Sequence, residues 1–229
     1  MFSELIFPYY CIGCGLELRL NFLCETCKKT LFEHVNILCP VCSKRLPDGK
    51  ICESCRTNLH FSRFISAIPY KHPIGQAAIH TMKYLFVKNL AEPLGSCLAS
   101  AIRITAPDYA KQNPLIVPLP LADERIRWRG FNQSALIAKS IANALNLKIT
   151  DDKILIRTKN TRPQLGLSRA ERLENIKNVF AVKNPFPIQN KTVLLIDDVS
   201  TTCSTLKEAA IVLRQCGAKS VWVAVVAQE

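Results

Sequence analysis

The sequence predicts an α/β protein: a parallel-sheet domain over residues 61–229, preceded by a small metal-stapled domain over residues 1–60. Three observations predict it. Eight of the 11 cysteines fall in the first 55 residues as four C-x2-C pairs. From residue 61 onward, short apolar runs alternate with stretches of helical spacing, the pattern of βα units on a parallel sheet. Of the 229 residues, 48% are apolar and 21% charged, a composition that supports a real core and excludes disorder.

The cysteine pairs are Cys11/Cys14, Cys24/Cys27, Cys39/Cys42 and Cys52/Cys55, and Cys39 begins a repeat 28 residues after Cys11. Each unit reads C-x2-C-x9-C-x2-C, so the structural unit is duplicated. Zinc takes four soft ligands in a tetrahedron, and each C-x2-C turn offers two thiolates. Eight cysteines therefore predict two structural zinc ions. Disulfides would face a reducing cytosol, because the start MFSELIFPYYC lacks a basic lead, carries Glu4 and reads poorly as a signal peptide. Iron–sulfur spacings fit the regular pairs less well. The repeat argues that each unit closes on itself, Cys11, Cys14, Cys24 and Cys27 around one ion and Cys39, Cys42, Cys52 and Cys55 around the other; a crossed pairing stays open. Gly13 and Gly15 suit tight turns at the first knuckle, and the second unit lacks matching glycines. The segment resembles a double zinc ribbon. Four protein ligands leave no open coordination position, so it is expected to be structural and to need metal to fold.

In the second domain Phe64–Tyr70 reads as a strand, His72–Asn89 contains a helical stretch, and Leu94–Ile104 reads as a small-residue helix. Ala106–Pro114 is a polar connection. Leu115–Leu119 is a short strand ending in the turn Pro118-Leu119-Pro120. Gln133–Asn146 has helical spacing through Leu136, Ile137, Ile141 and Leu145. Ile154–Ile156 is a candidate strand, and Ser168 with Glu171 forms a capping box that opens a helix. Val193–Ile196 is a buried-type strand, Ser204–Gln215 a helix closed by Gly217, and Val221–Val226 the last strand. No run of about 18 apolar residues occurs, so no membrane span is expected and a cytoplasmic location is.

The net charge of +12 is uneven. Residues 1–60 hold seven basic and six acidic side chains; residues 61–229 hold 23 and 12. A basic surface of that size points to an anionic partner: phosphate, nucleic acid or acidic lipid. Ligands of parallel sheets sit beyond the carboxyl ends of the strands. One such place follows Val193–Ile196, where Asp197 and Asp198 precede the loop Thr201, Thr202, Cys203, Ser204 and Thr205. A hydroxyl-rich loop entering a helix offers free N–H groups and the positive dipole end to a phosphate. Such loops also merely cap helices; the carboxylate pair favours the phosphate site. The other place follows Leu115–Leu119, where Pro118 and Leu119 turn and Arg125 and Arg129 can give bidentate donors to phosphate oxygens, or serve structure alone. Gly130 would allow a close backbone approach, and Asn132 and Gln133 would cap the next helix. Trp128 and Phe131 read as packing residues, with base stacking beside a basic groove as the alternative.

The stretch Val193–Thr205 resembles the thirteen-residue phosphoribosyl-pyrophosphate signature of type I phosphoribosyltransferases. The resemblance implies that Asp197 and Asp198 are the catalytic pair over the ribose hydroxyls, that Thr201–Thr205 hold the 5′-phosphate, and that Mg2+ accompanies the ligand. Cys203 stands where that family usually has glycine, which implies a weaker phosphate site or an adjusted loop; a thiol at a helix N-terminus also invites a redox role. In that family a loop in the region of Arg157–Arg172 closes over the site and excludes water.

Val117–Leu121, Arg125, the run Arg129-Gly130-Phe131-Asn132-Gln133, Arg157, Glu171-Arg172, Phe180 and Gly217-Ala218, taken with the ribbon, resemble the ComF family over nearly the whole chain. This resemblance implies a cytoplasmic competence protein with a phosphoribosyl-pyrophosphate site that handles incoming single-stranded DNA in natural transformation. It also implies docking to a DNA-uptake helicase or another competence protein. The alternative is an active phosphoribosyltransferase of nucleotide metabolism or salvage, its acceptor chosen by a hood near Tyr70, Lys83 and Tyr84.

Overall fold

The structure, a computed structural model, describes residues 9–151, 153–158 and 178–229, apart from positions 20, 34 and 36. The helix expected from Ser168, and most of Arg157–Arg172, lie outside the described residues.

The amino-terminal part is built from two turns and two short helices. Strands β1 (Tyr9–Tyr10) and β2 (Glu17–Leu18) pair antiparallel around the first knuckle. The second pair of each unit opens a helix: Cys24 caps α1 (Glu25–Phe32) and Cys52 precedes α2 (Glu53–Leu59). Gly15 adopts a left-handed φ of +73°, and Ser43 takes the equivalent place in the second unit at +57°. Their N–H groups donate to the Cys11 and Cys39 carbonyls respectively, at 2.8 and 3.0 Å. The duplicated turn therefore survives the loss of its glycine.

The remainder alternates strands and helices: β3 (Arg63–Pro69), α3 (Pro73–Tyr84), α4 (Ala91–Thr105), the single turn α5 (Tyr109–Gln112), β4 (Leu115–Pro118), α6 (Asp123–Arg129), α7 (Gln133–Leu145), β5 (Leu155–Arg157), β6 (Phe180–Val182), β7 (Thr192–Ser200), α8 (Ser204–Gln215) and β8 (Ser220–Gln228). Strands β3, β8, β7 and β4 form a parallel sheet in that order, with β5 and β6 a separate antiparallel pair. The central strands are nearly continuous runs of branched apolar residues, as burial on both faces requires.

Alternation along these strands divides the core. Leu194, Ile196, Trp222, Ala224 and Val226 face one way, against α3, α4 and α7. Val193, Leu195, Val221, Val223 and Val225 face the other, against α8 and the β5–β6 pair. The two ribbons are shared out between these faces. Leu23, Cys27 and Leu31 of the first join the former cluster, and Cys39, Leu46, Ile51 and Leu59 of the second join the latter.

Among the described residues the expected elements are present with shifted ends, with three differences. The connection expected over Ala106–Pro114 contains the helical turn α5. The strand expected at Val193–Ile196 continues to Ser200, so both carboxylates lie on the strand itself. The Arg125–Arg129 stretch is a helix, with Asp123 and Glu124 in its first turn and Arg127 and Arg129 in its last, charges that complement the dipole. Gly130 ends that helix at φ +77° as a left-handed cap, with open space around it.

Candidate functional site

The eight amino-terminal thiols form two sets, Cys11, Cys14, Cys24 and Cys27, and Cys39, Cys42, Cys52 and Cys55, with the sulfurs of each set within 4.8 Å of one another. Each unit thus closes on itself. Tetrahedral zinc with bonds near 2.3 Å places its sulfurs roughly 3.8 Å apart. Cys14 and Cys24 are 3.7 Å apart, Cys42 and Cys52 3.5 Å, and Cys39 and Cys52 3.8 Å, so both sets fit the ion. A Cβ on Gly13 would lie 2.7 Å from Cys27 Sγ, which explains a glycine inside the first knuckle. These are structural four-thiolate sites.

At the carboxyl edge of the sheet lies a cavity of about 210 Å3 whose lining comes from six elements and the loops beside them. Lys83 and Tyr84 end α3; Leu119 and Pro120 follow β4; Arg125 and Arg129 belong to α6; Gln133 and Ser134 open α7; Arg157 ends β5; Asp197 and Asp198 lie on β7; Thr205 sits in the first turn of α8. A second hollow of similar volume adjoins it, lined by Ser200 to Leu206, with Lys83, Asp197 and Val199 at the junction. The expected residues Thr201, Thr202, Cys203, Ser204 and Thr205 all border this hollow. Leu119 lines the first cavity, held by its N–H donating to Ile196 O at 2.9 Å, whereas Pro118 ends β4 in the core beside it.

The electrostatics centre on the carboxylate pair. Ser134 Oγ and the Asp198 N–H both donate to Asp197 Oδ1, at 2.8 and 2.9 Å. Burial and then the neighbouring Asp198 charge nonetheless push Asp197 up to about 7, against the pull of Lys83 and those hydrogen bonds. Asp198 is buried and pairs with Lys83 Nζ at 3.0 Å through one oxygen; among the described residues its Oδ2 has no hydrogen-bond partner. Across the cavity Arg129 is also buried. Its Nη1 donates to Gln133 Oε1 at 2.5 Å, while its Nε has no hydrogen-bond partner among the described residues. Burial lowers the pKa of both Arg129 and Arg157. Both unpartnered atoms belong to side chains that line the cavity, where the bonding of buried polar groups is incomplete.

Cys203 holds the glycine-type position of the loop at φ +58°. Its side chain turns into the core, and its sulfur lies 3.1 Å from Ser200 Oγ. Burial pushes the thiol up to about 12, which removes the basis for a reactive thiolate. The cysteine therefore keeps the left-handed backbone that glycine would adopt, with its side chain turned into the core. Asn132 caps α7 as expected, its Oδ1 accepting the Ser134 N–H at 3.0 Å. Ser134 was not among the expected site residues; Lys83, expected near an acceptor, and Arg157, expected at the start of a closing loop, both line the cavity. Lys83 pairs with Asp198, and the three come together only through tertiary packing.

A parallel sheet ending in an acid pair and a hydroxyl loop defines a phosphoribosyltransferase-type domain, here attached to two four-cysteine ribbons. The model of the double zinc ribbon domain matches residues 2–56, and that of the phosphoribosyl transferase domain matches residues 132–229. Competence protein F of Haemophilus influenzae is 30% identical over 221 residues, covering 89% of this chain and 95% of its own. DNA utilization protein YhgH of Escherichia coli is 30% identical over 224 residues, 94% of this chain and 95% of its own. Competence protein ComFC of Bacillus subtilis is 26% identical over 198 residues, 85% and 79% respectively. The chain belongs to the ComF family.

Proposed function

We propose that this chain serves DNA utilisation in competence, binding phosphoribosyl pyrophosphate with Mg2+ in the cavity at the sheet edge and single-stranded DNA on its basic α/β surface. The observation that carries the reading is the lining of one cavity by opposite charges: Asp197 and Asp198 with Arg125, Arg129 and Arg157, and the α8 loop beside them. In this reading Asp197 and Asp198 accept hydrogen bonds from ribose hydroxyls. Thr201, Thr202, Ser204 and Thr205 and the first N–H groups of α8 hold the 5′-phosphate. Arg125, Arg129 and Arg157 face the pyrophosphate. Mg2+ would neutralise charge on the pyrophosphate oxygens, hard donors that suit it. The relatives named for competence and DNA utilisation support the cellular role. The uneven charge supports a nucleic-acid partner, and the near-neutral ribbons suit a protein partner of the uptake machinery. That role puts its work in the cytoplasm. Among the described residues no helix is long and apolar enough to cross a membrane.

Calorimetry with Mg2+ and phosphoribosyl pyrophosphate tests the site. Binding by wild type that is lost in Asp197→Asn, Asp198→Asn protein is expected. Absence of heat with folded, zinc-loaded wild type would discard the ligand. A second reading, turnover as a phosphoribosyltransferase, is favoured by the convergence of three arginines where a leaving pyrophosphate would carry its charge. Pyrophosphate release above the double-variant background, with nucleobases or DNA ends as acceptors, decides it.

A further inference from the structure

Beside the cavity mouth, three aromatic rings stand in solvent where a stable core would have buried them. Tyr84 is 54% exposed, Phe86 42% and Trp128 57%. They touch one another: Phe86 and Trp128 meet edge to face at 5.1 Å, and Tyr84 lies 6.3 Å from Trp128. Phe86 is held at φ +59°, a left-handed conformation that a bulky side chain adopts only at a cost. Leu85 between them is also exposed. Strain and solvent contact together are hard to account for by packing.

Cations outnumber anions beside the patch, although the exposed Asp123 and Glu124 share the helix of Trp128. Arg125 and Arg127 lie on the same helix as Trp128 and are exposed, Lys88 follows Phe86, and the Arg129 guanidinium stands 5.9 Å from the Trp128 ring. Rings flanked by guanidinium and ammonium groups are what a flexible anionic strand with π faces requires: bases stack and phosphates pair. A greasy protein partner would not need the cations, and a duplex could not present its base faces.

Resting on the reading of single-stranded DNA binding above, we infer that Trp128, Phe86 and Tyr84 form the stacking platform for the strand, with Arg125, Arg127 and Lys88 on its phosphates. Tyr84 also lines the cavity, and Lys83 beside it pairs with Asp198. The platform therefore delivers a stacked nucleotide to the rim of the phosphoribosyl site.

The test is fluorescence anisotropy with a labelled oligothymidylate of about 15 nucleotides, a length matched to single-strand site sizes. Trp128→Ala with Phe86→Ala is expected to weaken binding at least about tenfold. Trp128→Phe should stay near wild type, and binding of Mg2+ and phosphoribosyl pyrophosphate should be unchanged in all three proteins. Arg127→Gln should lower the salt slope by about 0.7, one phosphate contact. Trp128 is the exposed one of two tryptophans, the other being the buried Trp222, so titration with unlabelled strand should quench the exposed emission. Wild-type affinity in the double alanine variant would overturn the platform while leaving strand binding intact, and would reassign the patch to a protein partner. No binding by wild type at low salt would overturn the strand reading itself, and the platform with it.

Discussion

At Asp197 burial and charge oppose the hydrogen bonds that hold the side chain, and burial wins. The unfolded carboxyl ionises near its ordinary 3.8, the folded one near 7. Between those values the folded chain binds the extra proton, so stability is full below the lower value and falls as pH rises to the upper. Asp197→Asn removes that loss. It should raise the thermal midpoint at about pH 8 by several degrees and by about half as much at about pH 5.5, midway between the two values and still within reach of zinc-loaded protein, each pKa unit being about 1.4 kcal/mol. Equal midpoint shifts at both pH values would refute the raised carboxyl. Cys203 makes the opposite kind of case. Its thiol is buried and pushed up to about 12. Iodoacetamide at neutral pH should modify the half-buried Cys216 and spare Cys203 in the folded, zinc-loaded protein. Rapid labelling of Cys203 by peptide mass analysis would restore the reactive reading. The motif identified both residues in sequence, but their ionisation depends on surroundings that no neighbouring residue reveals.

At the scale of elements, the short ribbon helices act as plugs for the sheet domain. Leu31 on α1 is fully buried in the cluster that holds α3, α4 and α7, and Cys97 of α4 donates its S–H to Leu31 O at 3.2 Å. Leu31→Ala should therefore cost about 2–5 kcal/mol and lower the single thermal midpoint of the whole chain. A midpoint unchanged in zinc-loaded variant protein would mean that the ribbon folds apart from the sheet. Most elements were legible because their signals are local: short apolar runs for β3 and β8, helical spacing for α7, the closing Gly217 for α8. Helix α6 was missed although Asp123, Glu124, Arg127 and Arg129 carry its dipole signature. Its apolar stripe is thin, and four of its seven residues are exposed charged groups. The reach of β7 through Asp197 and Asp198 was missed for a related reason. Carboxylates are poor strand formers alone, and pairing with β8 on Asp197 to Val225 keeps the strand extended there.

For the whole molecule, the two zinc sites sit on opposite faces of one sheet. Colorimetric release should count two zinc ions per chain. Chelation at neutral pH should lower the thermal midpoint of the entire protein, since both faces lose cover; an unchanged midpoint in metal-free protein would contradict the shared core. The fold class, the eight paired cysteines and the hydroxyl loop with its acid pair were determined by sequence alone, while which pairs share an ion was settled only by the structure. Each rests on spacing over a few residues, where backbone geometry leaves little choice. Tertiary structure decided the rest. Lys83, Ser134, Arg129 and Arg157 are distant in the chain and meet Asp197 and Asp198 only where α3, α6, α7 and β5 converge on the end of β7. The carboxyl and thiol ionisations, and the rings left in solvent at the cavity mouth, follow from that convergence, because burial belongs to the packed molecule and to no segment of it.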